Sequence, residues 1–148
     1  GKGILLVFAS GNVGKEVPND ESMLEAVIGV GASGEDNLRA IYSNFGTGLD
    51  IVAPGGYSLG ITTTNYRDNG DGAFMRAEDP ELFVGTSAST PIVGGALALL
   101  LEKNSQLTRQ QVQQRIKDSA DKIGNVEYTE GHNPYYGYGK LNVGRLLE

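Results

Sequence analysis

Cysteine and tryptophan are absent from this chain of 148 residues, and histidine occurs only once. The lack of cysteine excludes a disulfide framework and a thiolate metal site. Basic residues are also scarce, because 12 lysines and arginines face 18 aspartates and glutamates and give a net charge of −6 at pH 7. No basic cluster is present that would neutralise phosphates, so we predict no nucleic-acid partner.

Long apolar stretches are missing as well. The longest runs, residues 4–9 and 96–101, are too short to cross a bilayer, so we predict no membrane span. With 39% apolar and 20% charged residues, the chain has enough material for one compact domain and little for a second. A strand-like segment already at residue 3 or 4, with no turn or cap before it, suggests that the sequence starts within a domain.

The chain contains apolar, strand-like segments that alternate with segments of helical periodicity. Residues 4–9 and 26–32 are apolar and rich in β-branched side chains, which predicts strands of a parallel sheet covered on both faces. Residues 50–56 predict a third, short strand that is stopped by a turn. The spacing over residues 87–103 predicts a central helix that is apolar nearly all round, with Pro91 in its first turn. Together these elements predict an α/β fold with several parallel strands.

Local signals place three further elements. Thr108 and Gln111 have the spacing of a capping box, which predicts the start of an amphipathic helix. Asn142 is a suitable cap for a last short helix that extends through Leu147. The Gly-, Asn- and Asp-rich stretch at residues 68–72 predicts a hairpin turn.

Two short segments combine the groups that acyl transfer requires. Ser87 follows Gly85 and Thr86 at the start of the long helix, where unpaired N–H groups favour negative charge on a substrate carbonyl. Asn12 follows Gly11 after the first strand, and its amide is a second donor for the same oxyanion if the two segments meet. Taken alone, Ser87 has a simpler explanation as a helix-capping serine.

Residues 84–91, Val-Gly-Thr-Ser-Ala-Ser-Thr-Pro, resemble the nucleophile motif of the subtilisin-like serine proteases, in which Gly-Thr-Ser-x-[Ala/Ser]-x-Pro opens a long buried helix. Residues 9–14 look like the oxyanion-hole segment of that family, and residues 50–55 and 136–142 are similar to later landmarks in the same order. The resemblance covers essentially the whole chain. It implies that residues 1–148 form the C-terminal half of a three-layer α/β domain, a mostly parallel sheet flanked by helices.

The resemblance also implies a reaction and a set of site residues. It makes the parent protein a serine endopeptidase that hydrolyses peptide or protein substrates through an acyl-enzyme on Ser87. The Ser87 N–H and the Asn12 side-chain amide would then hold the oxyanion. The substrate would lie along five further residues, namely Ala9, Ser10, Gly11, Gly85 and Thr86.

Two of the three groups in a catalytic triad have no counterpart in this sequence. In the family, the Asp and His motifs precede the oxyanion asparagine, and neither is present here. We therefore expect the chain alone to be inactive and its partner to be the N-terminal half of the same domain. A sheet divided in this way exposes an edge through which the chain also dimerises. The alternative is a non-catalytic adhesion or binding module, against which the retained Ser87 and Asn12 speak.

His132 offers a different catalytic arrangement. The order Ser87, then Asp118 or Asp121, then His132 copies the α/β-hydrolases, but the Gly-x-Ser-x-Gly elbow of that fold is missing. A solvated loop histidine is the better interpretation. The glycines of residues 29–34 match a dinucleotide fingerprint, but no Rossmann-type helix follows, so close packing of a buried strand is the preferred explanation.

The remaining expectations concern metal and location. Asp68, Asn69 and Asp71 carry oxygen ligands but depart from the spacing of a calcium-binding EF-hand loop. The family resemblance leaves calcium as a candidate cofactor without assigned ligands. It also implies an extracellular or cell-envelope location.

Overall fold

Three short parallel strands form the sheet that organises the molecule. In the computed structural model, which describes residues 3–17, 19–65, 73–75 and 83–148, these are β1 (Leu6–Ala9), β2 (Val27–Ser33) and β3 (Ile51–Pro54). Their order is β1-β2-β3, so β2 is hydrogen-bonded on both sides. All three lie within or next to the apolar runs of the sequence, and the predicted α/β class with a mostly parallel sheet is confirmed.

β2 and β1 differ in how well they are covered. Every residue of β2 is buried, as predicted. β1 pairs with β2 alone, and Leu6 and Phe8 are 44% and 42% exposed, while Ile4 just before the strand is 81% exposed. The prediction that both faces of this strand are covered is therefore wrong. Its uniformly apolar sequence is typical of an inner strand, but here one edge of it has no neighbour among the described residues and one face is only partly covered.

The long helix α1 spans Thr86–Lys103 and packs against all three strands. It is not buried on every side, as the prediction of a central helix requires, because Leu99 and several small residues on its outer face are exposed. Pro91 is the sixth helical residue rather than part of the first turn, so that expectation is also wrong. Since proline has no N–H, position 91 cannot donate a helical hydrogen bond to the carbonyl of Ser87.

Two shorter helices complete this side of the sheet. α2 spans Arg109–Ser119, and both hydrogen bonds of the predicted capping box between Thr108 and Gln111 are present. α3 spans Val143–Leu146, and Asn142 caps it by accepting from the N–H of Arg145. The three helices and the sheet enclose one apolar core of buried residues: Ile28, Val30, Ile51, Ala53, Val93, Ala96, Leu97, Leu100, Val112, Ile116, Ala120 and Leu146.

The opposite face of the sheet is covered by loops. A 3-10 helix, Glu21–Met23, lies against β2, and a second apolar cluster contains Leu49, Val52 and Tyr136. The glycines of β2 allow the close approach on this side, because a Cβ atom at Gly29 would lie 2.1 Å from the carbonyl oxygen of Ser22. That contact supports the packing explanation of these glycines over the nucleotide site.

β4 (Thr63–Asn65) and β5 (Ala73–Met75) pair antiparallel, which confirms the predicted hairpin. The turn that joins them, including Asp68, Asn69 and Asp71, lies outside the described residues. None of the helices in the described part of the chain is both long enough and apolar enough to cross a membrane.

Candidate active site

Ser87 lies in the first turn of α1 with its side chain exposed. The helix is entered through Gly85, whose φ of 133° is in the region that favours glycine. The carbonyl of Gly85 accepts from the N–H groups of Ala88 and Ser89. Within the described ranges, no residue forms a hydrogen bond with the Ser87 hydroxyl or N–H. Both groups are therefore available to a ligand at the positive end of the helix dipole.

Asn12 reaches this helix end from the other predicted segment. Gly11, with φ of 96°, turns the chain after β1, and the Oδ1 atom of Asn12 accepts from the Thr86 N–H and the Thr86 hydroxyl, both at 2.9 Å. The N–H of Gly11 donates to Thr86 Oγ1 at 3.2 Å. The structure thus brings the two segments together, 74 residues apart in sequence at the Asn12–Thr86 contact.

These contacts also orient the Asn12 carboxamide. Because Oδ1 is occupied by Thr86, the Nδ2 group is directed away from that residue and keeps its two N–H donors. A Cβ atom at Gly85 would lie 3.3 Å from Nδ2, so a side chain there would crowd the amide. Asn12 itself is exposed. The arrangement therefore leaves an exposed amide donor beside the start of α1, where the Ser87 N–H is also without a partner among the described residues.

The residues predicted to line the substrate differ in exposure. Ser10 is 1% exposed and its hydroxyl donates to the carbonyl of Asn44, while Thr86 is fully buried. Ala9 and Gly11 are half-buried, and Gly85 is buried. The side chains of Ser10 and Thr86 are therefore engaged inside the protein. Their backbone groups also have partners, which are Val30 and Asn44 for Ser10 and Asn12 and Thr90 for Thr86.

A third segment holds both halves of the site, and our sequence analysis did not identify it. The Asn44 side chain donates to the carbonyl of Ser10 at 2.8 Å and accepts from the N–H groups of Val13 and Lys15. The Tyr42 hydroxyl contacts the N–H of Gly85. The only local signal is a run of polar residues in a loop, which gives no indication of these partners.

His132 lies at the other end of the sheet. Its Nε2 is 2.8 Å from the carbonyl oxygen of Leu49, before β3 begins, whereas Gly55, after β3 ends, contacts Gly85 at the Ser87 site. His132 is half-buried and stacks edge-on against Tyr138 with ring centroids 5.1 Å apart. It is therefore not the solvated loop histidine that we expected, and the triad built from it is not formed.

The two candidate carboxylates of that triad are also engaged elsewhere. Asp118 accepts from Gln114, and Asp121 accepts from Asn142 and Arg145. Among the residues that the structure describes, no group of three or more His, Cys, Asp or Glu side chains is arranged to hold a metal ion.

A polar cavity of about 430 Å³ lies beside His132, and Asp50 is its most buried charged group. Asp50 accepts from the N–H of Gly29 at 3.0 Å and pairs with Lys117 at 3.2 Å. Burial raises the pKa of Asp50 above its ordinary range, although the Gly29 N–H and Lys117 act in the opposite direction. The charged groups at this end are therefore paired with each other.

The chain is similar to known proteases over most of its length. The model of the subtilase family of peptidases matches residues 1–139. A calcium-dependent protease of Trichormus variabilis is 33% identical over 172 aligned positions, which cover 100% of this chain and 25% of that protein. Alkaline elastase YaB of Bacillus sp. strain YaB is 37% identical over 124 positions, covering 84% of this chain and 29% of the elastase.

A solved structure agrees with these sequence matches. The crystal structure of a lanthipeptide protease superposes with a TM-score of 0.79 at 25% identity, over 97% of this chain and 50% of that one. The chain thus spans between a quarter and a half of the length of these relatives. Because the family model matches almost the entire sequence and the fold agrees, the chain belongs to the subtilase family.

Proposed function

We propose that residues 1–148 are the C-terminal half of the catalytic domain of a serine endopeptidase that cleaves peptide or protein substrates, with Ser87 as its nucleophile. The observation that carries this proposal is the meeting of Asn12 with the first turn of α1. That contact leaves the Ser87 hydroxyl, the Ser87 N–H and the Asn12 Nδ2 group without partners among the described residues. If Ser87 only capped the helix, the carboxamide of a distant residue would not be required beside it.

The chemistry follows from the positions of these donors. Ser87 Oγ attacks the carbonyl carbon of the scissile bond, and its proton passes to a base. The Ser87 N–H and Asn12 Nδ2 donate to the oxyanion, which is stabilised more than the uncharged carbonyl of the substrate. The C–N bond then breaks, the leaving amine takes the proton from the base, and water hydrolyses the ester on Ser87.

Substrate binding in this proposal uses a surface of small residues. The side chains of Ser10 and Thr86 are turned inward, so the peptide would lie along residues 9–11 and 85–86 without displacing the hydrogen bonds that these residues form. Gly11 and Gly85 have no side chain that would block the approach of a peptide backbone. A surface without protruding side chains suits an extended peptide.

The base is not supplied by His132, so it must come from outside this chain. We propose that it belongs to the N-terminal half of the same domain and that this half pairs with the free edge of β1. Support comes from the exposed Leu6 and Phe8 and from an apolar groove of about 460 Å³ between β1 and α1, which Val7 and Leu97 help to line. Deprived of that half, the same edge is expected to pair with a second copy of the chain.

Location and metal dependence belong to the same proposal. We expect the complete protein to act outside the cell or in the cell envelope, as the family resemblance implies. The first relative above is named a calcium-dependent protease, so removal of calcium from the complete protein is worth measuring. No step of the mechanism above depends on a metal ion.

Replacement of Ser87 by alanine in the complete protein tests the proposed role directly. We expect hydrolysis of a peptide substrate and labelling by a serine-directed phosphonate to fall to background, since no other group takes the place of the nucleophile. The wild-type 148-residue chain alone should also be inactive, and addition of the N-terminal half should restore hydrolysis that depends on Ser87.

Two outcomes would contradict the proposal. Normal turnover by the Ser87→Ala protein would remove Ser87 from the mechanism. A complete wild-type protein that is folded but neither hydrolyses peptides nor reacts with the phosphonate would favour the adhesion module instead.

A further inference from the structure

The hydroxyl group of Tyr42 lies between two segments that carry no charged side chain. It is 2.9 Å from the carbonyl oxygen of Gly55, 2.6 Å from that of Gly56 and 3.1 Å from the backbone nitrogen of Gly85. A phenol has one hydrogen to donate, so it donates to one carbonyl at a time and accepts from the Gly85 N–H. Tyr42 therefore fastens the turn after β3 to the residue that opens α1.

The contact between this turn and the start of α1 allows little movement. The N–H of Gly85 also donates to the carbonyl of Gly55 at 2.9 Å, so one donor is shared between Gly55 and Tyr42. A Cβ atom at Gly55 would lie 2.5 Å from the Cβ of Ala32 and 2.6 Å from the hydroxyl oxygen of Ser89. The turn and the helix end are thus in direct backbone contact, and a change at Tyr42 would be transmitted to the position of Gly85.

Asn44, two residues along the chain, holds the opposite half of the site. Its Nδ2 donates to the Ser10 carbonyl, and its Oδ1 accepts from Val13 at 3.1 Å and from Lys15 at 3.2 Å. Those three backbone groups surround the turn that carries Asn12. Residues 42–44 therefore touch both the helix end that carries Ser87 and the turn that carries Asn12, and we call this tripeptide the brace.

We propose that Tyr42 is a positioning residue: through the brace, its hydroxyl fixes the separation of the Ser87 N–H and the Asn12 amide and thereby controls kcat. The inference rests on the proposed function, because a separation of donors affects a rate only if those donors stabilise a transition state. Tyr42 itself needs no contact with the reacting atoms. Its effect is expected in kcat, since misplaced donors weaken transition-state stabilisation more than ground-state binding.

The protonation state of Tyr42 suits this role. Burial raises the pKa of the Tyr42 phenol above its ordinary value, and the negative charge of Glu35 adds to the effect against the opposing Gly85 N–H. The hydroxyl therefore remains protonated at neutral and mildly alkaline pH. It keeps the hydrogen that it donates to the Gly55–Gly56 turn over that range.

The test is a Tyr42→Phe variant of the complete protease, which retains the ring and removes only the hydroxyl. We expect kcat to fall about five- to tenfold with KM nearly unchanged, the size expected when one neutral hydrogen bond no longer supports the transition state. Tyr128→Phe is the matched control, because its hydroxyl also bonds to backbone groups, those of Ile123, away from Ser87. We expect the kcat of Tyr128→Phe to match that of the wild type, and its melting temperature to be similar to that of Tyr42→Phe.

A double variant separates positioning from a general loss of stability. In an Asn12→Ala background one of the two oxyanion donors is already gone, so Tyr42→Phe should lower kcat less than twofold further. A wild-type kcat in Tyr42→Phe would overturn the inference, and so would an equal loss in both backgrounds. Full activity in Ser87→Ala would instead overturn the proposed function, and the inference with it.

Discussion

The two ends of the sheet are built from different kinds of interaction. At the carboxyl end, where β1 and β3 lead into Gly11 and Gly55, Asn12 and Tyr42 form hydrogen bonds in which every partner is neutral. At the amino end, before β3 begins, Asp50 is buried against Lys117. The first end leaves donors unused among the described residues, and the second end pairs its charges.

This difference separates a surface prepared for a ligand from one that holds the fold together. Unused N–H groups at a helix start cost little free energy while water reaches them, and they bind strongly to an anion that displaces the water. A buried carboxylate is tolerated only with a cation and a hydrogen-bond donor, as Lys117 and Gly29 provide. We therefore expect changes at the carboxyl end to affect turnover and changes at the amino end to affect stability.

The largest expected effect is at the carboxyl end. Asn12→Ala should lower kcat of the complete protease about a hundred- to a thousand-fold, the loss typical of removing one oxyanion donor from a subtilisin-type site. The free energy of unfolding should fall by about 2 kcal/mol, because Oδ1 is the acceptor of both the N–H and the hydroxyl of the buried Thr86. Steady-state kinetics and urea unfolding measure the two quantities.

Asn12→Asp sharpens this measurement. The aspartate keeps an oxygen for Thr86 but has no N–H donor and adds a negative charge, so we expect stability close to the wild type and a kcat at least as low as that of Asn12→Ala. A normal kcat in either variant would show that Asn12 does not hold the oxyanion.

The second largest effect is expected at the amino end. Lys117→Met should lower the free energy of unfolding by about 2 kcal/mol at pH 7, since it leaves the buried Asp50 without its cation. We expect kcat to remain unchanged, because Lys117 is at the opposite end of the sheet from Ser87. Unfolding is best measured in a Ser87→Ala background, which prevents self-cleavage.

Arg145→Met is the control for this variant. Arg145 pairs with Asp121 at 3.1 Å, but both side chains are about half exposed, so the loss should be below about 1 kcal/mol. Equal losses for Lys117→Met and Arg145→Met would contradict the distinction between a buried pair and a surface pair.

The smallest expected effect is a pH dependence of stability due to Asp50. Because the folded-state pKa of Asp50 is raised, the folded protein binds its proton more strongly than the unfolded chain does. The contribution of this proton to the free energy of unfolding is fully present below about pH 4, the ordinary aspartate pKa. It is lost as the pH rises through the folded-state pKa of Asp50. The wild type should therefore lose stability relative to Asp50→Asn over that interval.

Lys117→Met extends this test. Without the cation the folded pKa of Asp50 rises further, so the decline should become larger and continue to higher pH. A difference between wild type and Asp50→Asn that stays constant from pH 4 to pH 7 would show that burial does not perturb this carboxyl group.

The elements with local signals were predictable from sequence. The capping box at Thr108, the cap at Asn142 and the three apolar runs all correspond to the structure, because each depends on residues within one or two turns of the chain. The exposure of Leu6 and the position of Pro91 were not predicted correctly. Exposure depends on which layers surround a strand. Pro91 lies beyond the first turn whether the helix begins at Ser87, as predicted, or at Thr86, as observed.

The candidate site was predictable only in its motifs. The segments around Asn12 and Ser87 were identified, and their contact is present, but their proposed roles await the kinetic tests above. Tyr42 and Asn44 were missed because their partners, Gly85 and Ser10, are 43 and 34 residues away. The periodicity of a sequence predicts helices and strands but not contacts between distant segments. His132 was misjudged for the same reason, since its partner Leu49 is 83 residues away.

The neutrality of the brace has a consequence for how an activity profile should be interpreted. Phenol, carboxamide and peptide groups neither gain nor lose protons between mildly acidic and mildly alkaline conditions, and added salt hardly screens them. The hydrogen bonds that the Tyr42 and Asn44 side chains form should therefore persist while acidity and ionic strength are varied. Any bell-shaped or sigmoidal rate curve would then report the titration of the reacting base itself, undistorted by the framework that supports it.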